Sequence, residues 1–241
     1  DHRLRIIRLL QNAGVHRARI AGVSSAKGEV IGFVDADDWI KPDMIKTMLQ
    51  RLQSDRADIA ICGAEHVSDD GIRIGRKVRF DSARTIDGDV LSPFCRMKLG
   101  SGVLWNKLYR RDVIVPAATV QLESEVDAGE DYIVNIGAFA AARRVSIVPA
   151  YFYCYRHNLD SASRAAGSAK SFARVLRAYA ACLESYAECD EGVLRNIDQL
   201  YRHQLRWDCY RVLRTEELAN YAAHLAESLR RIAVTRSESV H

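Results

Sequence analysis

The chain has 241 residues, 48% of them hydrophobic, a formal net charge of +4 and a pI near 8.7. That apolar content is enough for a substantial core and excludes a disordered tail, and arginines scattered without a dense basic block exclude a nucleic-acid arm. No run approaches the ~20 apolar residues of a membrane span, and the opening Asp-His-Arg-Leu-Arg has neither an initiator Met nor a signal-peptide layout, so a soluble or peripheral chain, or a fragment, is expected.

Arg5 to Leu10 is too short a run to choose between an edge strand and a helix. Gln11-Asn12-Ala13-Gly14 signals a turn, and His16 to Ala26 has helical spacing ended by Gly28. Val30 to Val34 reads as a buried strand on which that helix packs. The run ends in Asp35-Ala36-Asp37-Asp38-Trp39, and an extended chain would send Asp35 and Asp37 to one face and Asp38 to the other. Two carboxylates on one side can share Mg²⁺ or Mn²⁺, whose remaining positions go to phosphate and water. The competing reading is that Asp37 or Asp38 caps the helix that starts near Pro42-Asp43. Three like charges gathered at the end of an apolar strand weigh against it, because close carboxylates repel unless neutralised.

Asp43 to Leu52 predicts an amphipathic helix, and Ala57 to Gly63 a second buried strand, so the β-α-β rhythm continues. Asp69-Asp70-Gly71 predicts a hairpin turn between Glu65–Val67 and Ile72–Ile74, with alternation through Lys77–Phe80. Leu91 to Leu99 is a candidate helix, and Val103 to Asp112 mixes aromatics with cations in a way that suits a cleft wall. An acid-rich stretch from Glu123 leads to Glu130-Asp131 in the first turn of a helix over Tyr132–Ala140. Acids there also complement the helix dipole without any catalytic duty. Arg143–Val148 and Tyr151–Tyr155 are strand-like, Asn158–Ser163 breaks the pattern, and Ala165–Ser168 reads as a linker into a helical region running to about Ile232. Two domains are therefore expected, 1–164 and 165–241. In the second, Tyr201, Arg202, Arg206, Trp207, Tyr210, Arg211, Arg214, Arg230 and Arg231 interleave cations and aromatics, which admits a membrane-surface contact beside plain helix packing.

The six cysteines include no Cys-x-x-Cys pair and match neither a zinc site nor a disulfide scaffold, so buried free thiols in a reducing cytoplasm are expected.

Four blocks in one order carry a resemblance: Asn12 to Gly22, the Asp35–Trp39 acid block, Leu104-Trp105-Asn106-Lys107-Leu108-Tyr109-Arg110-Arg111, and Gly129-Glu130-Asp131, with Tyr153–Arg156, Ser161 and Ser163 closing it. Over roughly residues 5 to 165 the chain resembles the family 2 inverting glycosyltransferases, bacterial builders of surface polysaccharides. The resemblance implies an α/β GT-A (Rossmann-like) mixed sheet flanked by helices, N-terminally truncated, with a C-terminal helical region outside the match. It implies that Asp35-Ala36-Asp37 is the family's Asp-x-Asp motif, with Asp35 and Asp37 holding Mn²⁺ or Mg²⁺ and Asp38 beside them on the donor. It also implies that Asp131, paired with Glu130, is the catalytic base, and that Arg19, Trp105, Asn106 and Lys107 approach the donor. Ile20 stands where the family usually has asparagine. His157, next to Tyr155-Arg156, is a candidate for the metal or diphosphate.

The implied partners are a nucleotide-sugar donor, a UDP-sugar first, and a glycan or lipid-linked acceptor, with no nucleic acid. The family's opening strand, helix and strand, which carry its base pocket, have no counterpart ahead of Asp1, so an open sheet edge is expected. Two other readings are a non-catalytic remnant acting as a binding or assembly module and a nucleotidyltransferase of similar fold.

Overall fold

The computed structural model describes residues 2–120, 122, 126, 129–156, 168–212 and 216–238, and the side chains of 207–218 lie outside the description. Residues 2–13 form no helix or strand, and Leu4, Ile6, Ile7, Leu9 and Leu10 are exposed. Helix α1 (Gly14–Ser25) opens where the Asn12 side chain accepts from the Gly14 N–H, and it puts His16, Arg19 and Val23 on one inward face. Strand β1 (Val30–Gly32) follows, and then β2 (Trp39–Ile40). Helix α2 (Met44–Ser54) buries Met44, Met48 and Leu52, the predicted apolar face.

Strand β3 (Ile59–Val67) is buried along nearly its whole length, as expected for a central strand covered on both faces. It turns through 68–72 into β4 (Arg73–Val78), confirming the hairpin. After β5 (Arg84–Asp87) and the short α3 (Leu91–Cys95) come β6 (Lys107–Arg110) and α4 (Arg111–Ala118). Helix α5 (Glu130–Ala141) leads into β7 (Arg144–Arg156), one long strand with shifts in register where two strands were predicted.

The sheet is mixed, as expected, in the order β1-β6-β3-β7-β2, with β4 beside β3 and β5 beside β7. β3 and β7 are parallel, whereas the other pairs are antiparallel. β1 and β2 stand at the two ends of that order.

The C-terminal region is three helices rather than one run: α6 (Ala169–Ser185), α7 (Glu191–Val212) and, after a 3-10 turn at Glu216–Tyr221, α8 (Ala222–Glu238). Their apolar faces join the core of the sheet region, since Ala178, Cys182, Leu183, Leu194, Leu200 and Tyr201 belong to the same buried cluster as β3, β6 and α5. Tyr201 is thus a core residue, and Arg231 pairs with Glu184, which removes both from any membrane-facing stripe. No helix among the described residues is long and apolar enough to cross a membrane. The expected boundary at 164/165 and His157 lie outside the described residues.

Among the described residues five cysteines are free, four of them buried, and burial pushes the Cys62 and Cys95 thiols up to about 12.

Candidate active site

The acid block does not continue β1. Residues 35–38 form a turn closed by the Asp38 N–H donating to the Asp35 carbonyl at 3.1 Å, so the extended-chain alternation expected of Asp35, Asp37 and Asp38 does not apply. Tyr153, from β7, holds this turn at both ends. Its hydroxyl accepts from the Asp35 N–H at 3.0 Å and donates to Asp38 Oδ2 at 2.8 Å. Asp38 Oδ1 also accepts from the Arg156 N–H at 2.8 Å, so the Asp38 carboxylate fastens the turn to β7 instead of facing a donor. The exposed Asp37 has no such commitment.

Across from the turn stands the first turn of α5. Gly129, at φ 85°, takes the left-handed conformation that launches the helix and turns Glu130 and Asp131 inward. Arg19 of α1 joins the two. Its guanidinium lies 2.7 Å from Glu130 Oε1, 2.5 Å from Asp131 Oδ1 and 3.6 Å from Asp35 Oδ1. Glu130 accepts a well-formed hydrogen bond; Asp131 Oδ1 is close enough for an ion pair, but the donor angle leaves it without a true hydrogen bond. The structure therefore brings Arg19, Asp35, Glu130 and Asp131 together from three segments of the chain, α1, the acid turn and the start of α5.

The electrostatics follow from that grouping. Burial, only partly offset by Arg19 and worsened by Glu130 and Asp35, raises Asp131 to about 7. Asp35 is raised for the same first reason, burial, with Arg19 opposing and Asp37 and Glu130 adding to it.

Trp105, Asn106 and Lys107 lie beneath this site, with their side chains committed to the protein and not to an open cleft. Trp105 stacks on Tyr153 at 4.1 Å between ring centroids and so backs the tyrosine that holds the acid turn. Asn106 donates to the Cys62 carbonyl at 2.8 Å. Lys107 is fully buried. Tyr153, which the sequence reading placed only in the closing Tyr153–Arg156 segment, and Asn135, which it did not single out, are neighbours of the site. Asn135, one helical turn after Asp131, had the i, i+4 spacing that could have flagged it.

A cleft of about 500 Å³ runs between α1 and residues 31–36, lined by Val15, Gly22 and Phe33 and ending at Arg19 and Asp35. A larger one, of about 1220 Å³, lies at the other end of β1 among Glu29, Leu52, Arg56 and Arg111, away from every acid of the site, and the chemistry argues for the smaller. Among the described residues no three His, Cys, Asp or Glu side chains converge tightly enough to hold a metal ion by themselves.

The family model described as Glycosyl transferase family 2 matches residues 1–115, the part that contains α1 and the acid turn. The chain belongs to glycosyltransferase family 2. EpsH of Bacillus subtilis (strain 168) is 33% identical over 165 residues, 67% of this chain and 46% of EpsH. The succinoglycan biosynthesis protein ExoO of Rhizobium meliloti is 30% identical over 172 residues, covering 68% of this chain and 48% of ExoO. The chain thus spans about half the length of these curated family 2 relatives. The crystal structure of Staphylococcus aureus TarS 1–349 in complex with UDP-GlcNAc superposes with a TM-score of 0.67 at 17% identity, over 93% of this chain and 63% of that one. At that identity the likeness establishes the GT-A fold alone, and it does so for a sheet whose topology is already mixed.

Proposed function

We propose that this chain carries the reaction centre of a metal-dependent inverting glycosyltransferase that moves a sugar from a nucleotide-sugar donor, a UDP-sugar first, to a glycan or lipid-linked acceptor in polysaccharide synthesis. The observation that carries the reading is the Arg19 bridge, which holds the Asp131 carboxylate against an acid turn at the mouth of a cleft. The UDP-GlcNAc and UDP complexes of TarS support the donor class, and the succinoglycan role in ExoO's name supports the pathway class.

Asp131 is the base. Burial raises its affinity for a proton above that of an ordinary aspartate, the direction that favours a general base. It takes the acceptor hydroxyl's proton while that oxygen attacks the anomeric carbon from the face opposite the diphosphate. The new C–O bond forms as the bond to the diphosphate breaks, the electron pair leaves with the nucleoside diphosphate, and the configuration inverts. Arg19 keeps Asp131 and Glu130 beside the acid turn until substrate arrives.

Asp35 and Asp37 fit a hard divalent cation. They are oxygen donors only, one partly paired and one uncommitted, and Mg²⁺ or Mn²⁺ needs just one or two carboxylates when diphosphate and water complete the shell. Such an ion supplies charge stabilisation to the departing diphosphate. We place the reaction at the cytoplasmic face of the membrane, with the exposed Arg202 and Arg206 of α7 available to anionic lipid.

Release of UDP from UDP-GlcNAc, with and without acceptor glycans, tests the assignment. Asp131→Asn is expected to cut turnover by at least roughly a hundred-fold while UDP still binds. Full turnover in that variant would remove Asp131 from the reaction.

A further inference from the structure

Trp105 and Tyr153 are buried aromatics to which the reaction as written gives no role. The Tyr153 backbone lies between two strands, opposite Ile40 of β2 on one side and Ala64 of β3 on the other. Its ring stacks on Trp105, with 4.1 Å between centroids and 20° between planes. Trp105 in turn stacks on Tyr155 at 5.8 Å, and the Tyr155 ring is covered by the Lys77 ammonium at 3.9 Å and met edge-on by His66 at 5.2 Å. A ring wedged into such a stack cannot swing, so the hydroxyl at its tip is a fixed point.

That point lies where the chain needs one. Between the end of β1 at Gly32 and the start of β2 at Trp39 the backbone leaves the sheet. The Tyr153 hydroxyl spends its one proton on Asp38 Oδ2, at 2.8 Å, and a lone pair on the Asp35 N–H, at 3.0 Å. The Asp38 end has further support, from the Arg156 N–H on Oδ1 at 2.8 Å and from Trp39 paired opposite Cys154. At the Asp35 end the other partner is the Arg19 guanidinium, at 3.6 Å. Asp37 is the exposed acid between these two fixed ends.

The geometry points to Tyr153, backed by Trp105, as the positioning residue of the metal turn: its hydroxyl fixes residues 35–38 in one conformation before any ligand arrives, and Asp38 acts through that bond instead of meeting the cation. This rests on Asp35 and Asp37 taking the divalent ion. A loose link at 33–38 would have to be ordered when ion and diphosphate bind, and the entropy lost would come out of the affinity. A turn held in advance avoids that loss. Groups that hold ligating side chains from behind are typically worth about 10–100-fold in metal affinity.

The test is Mn²⁺ uptake by the full chain in the presence of UDP, read from the electron paramagnetic resonance of the free ion, together with amide exchange in the ligand-free chain. Tyr153→Phe keeps the ring and its stack on Trp105 and removes only the hydroxyl. It is expected to weaken Mn²⁺ binding by about ten-fold or more and to speed exchange at Asp35 and Asp38 by roughly ten-fold. Tyr179→Phe, which removes the bond to Asp198 in the C-terminal helices, should change neither, and a merely structural role for Tyr153 would make the two variants alike. Equal Mn²⁺ affinity in a folded Tyr153→Phe protein would overturn the proposal. Should Tyr153→Phe not fold, the wild type decides: without ligand its Asp35 amide must exchange within roughly ten-fold of the Lys41 amide, which donates to the Phe152 carbonyl at 2.8 Å. An Asp35 amide protected only after Mn²⁺ and UDP are added would overturn it. A wild-type chain that takes up no Mn²⁺ contradicts the metal reading and this proposal with it, whereas equal uptake by wild type and Tyr153→Phe contradicts this proposal alone.

Discussion

Arg19 and Asp131 show how far a pair of side chains departs from the duties their types suggest. An arginine near a nucleotide-sugar site is read from sequence as a donor contact, yet here its guanidinium is mostly buried among Asp35, Glu130 and Asp131. Removing one partner of a buried ion pair leaves uncompensated charge, so Arg19→Met is expected to cost about 3–5 kcal/mol in a denaturant titration. The pH response of Asp131 has an unusual sign. Its folded value of about 7 lies above the ordinary 3.8, so the folded state favours the protonated acid and stability from this group is lost as pH rises from about 4 through 7. Thermal midpoints measured across that window should fall more steeply in the wild type than in Asp131→Asn; parallel curves would mean that Asp131 titrates normally.

The acids at 35–38 and 130–131 were legible in the sequence as chemistry, and their meeting was not, because nothing local in a sequence says that α1 will lay Arg19 across both. Asp38, Asn106 and Lys107 were legible as polar residues in a motif, but the burial of Asn106 and Lys107 and the bonds of Asp38 to β7 were invisible until β6 and β7 were placed.

At the scale of elements, periodicity carried most of the fold. The amphipathic α2, the continuous apolar β3 and the Asp-Asp-Gly hairpin all stand where their patterns put them. The failures have identifiable causes. β1 stops at Gly32 because the chain bends into the acid turn, and β2 has only two residues, too few for any alternation. α4 was masked by Pro116 inside it and by the Arg-Arg-Asp at its start. β5 has the pattern of an exposed loop because only Ile86 is apolar in Arg84-Thr85-Ile86-Asp87. The start of α5 depends on one backbone conformation. Gly129 is left-handed, and a Cβ there would sit 3.1 Å from Ala178 Cβ on α6. Gly129→Ala should therefore cost at least about 1–2 kcal/mol by thermal denaturation and reduce turnover through misplacement of Asp131. Unchanged stability would show that α5 can start without this turn.

For the whole molecule, the sheet region and the C-terminal helices share one core. The Tyr186 hydroxyl at the end of α6 donates to the Ile133 carbonyl inside α5 at 2.8 Å, and α5 packs so closely there that a Cβ at Gly137 would meet that hydroxyl at 2.4 Å. The helices thus support the helix that carries Asp131. A piece ending at residue 168 is expected to lose cooperative unfolding, seen as a broad thermal transition by circular dichroism, because Ala178, Cys182, Leu183 and Tyr201 no longer cover the α5 side of the core. A sharp transition in that piece would make the helical region an independent addition.

The central claim is that the acid turn and the start of α5 form one site for a nucleoside diphosphate and its metal. Calorimetric titration of UDP into the 241-residue chain with Mn²⁺, repeated without the metal and with Asp37→Asn, addresses it most directly. The account predicts heat of binding that needs both Mn²⁺ and Asp37. Binding of equal strength in all three, or none in any, would contradict it.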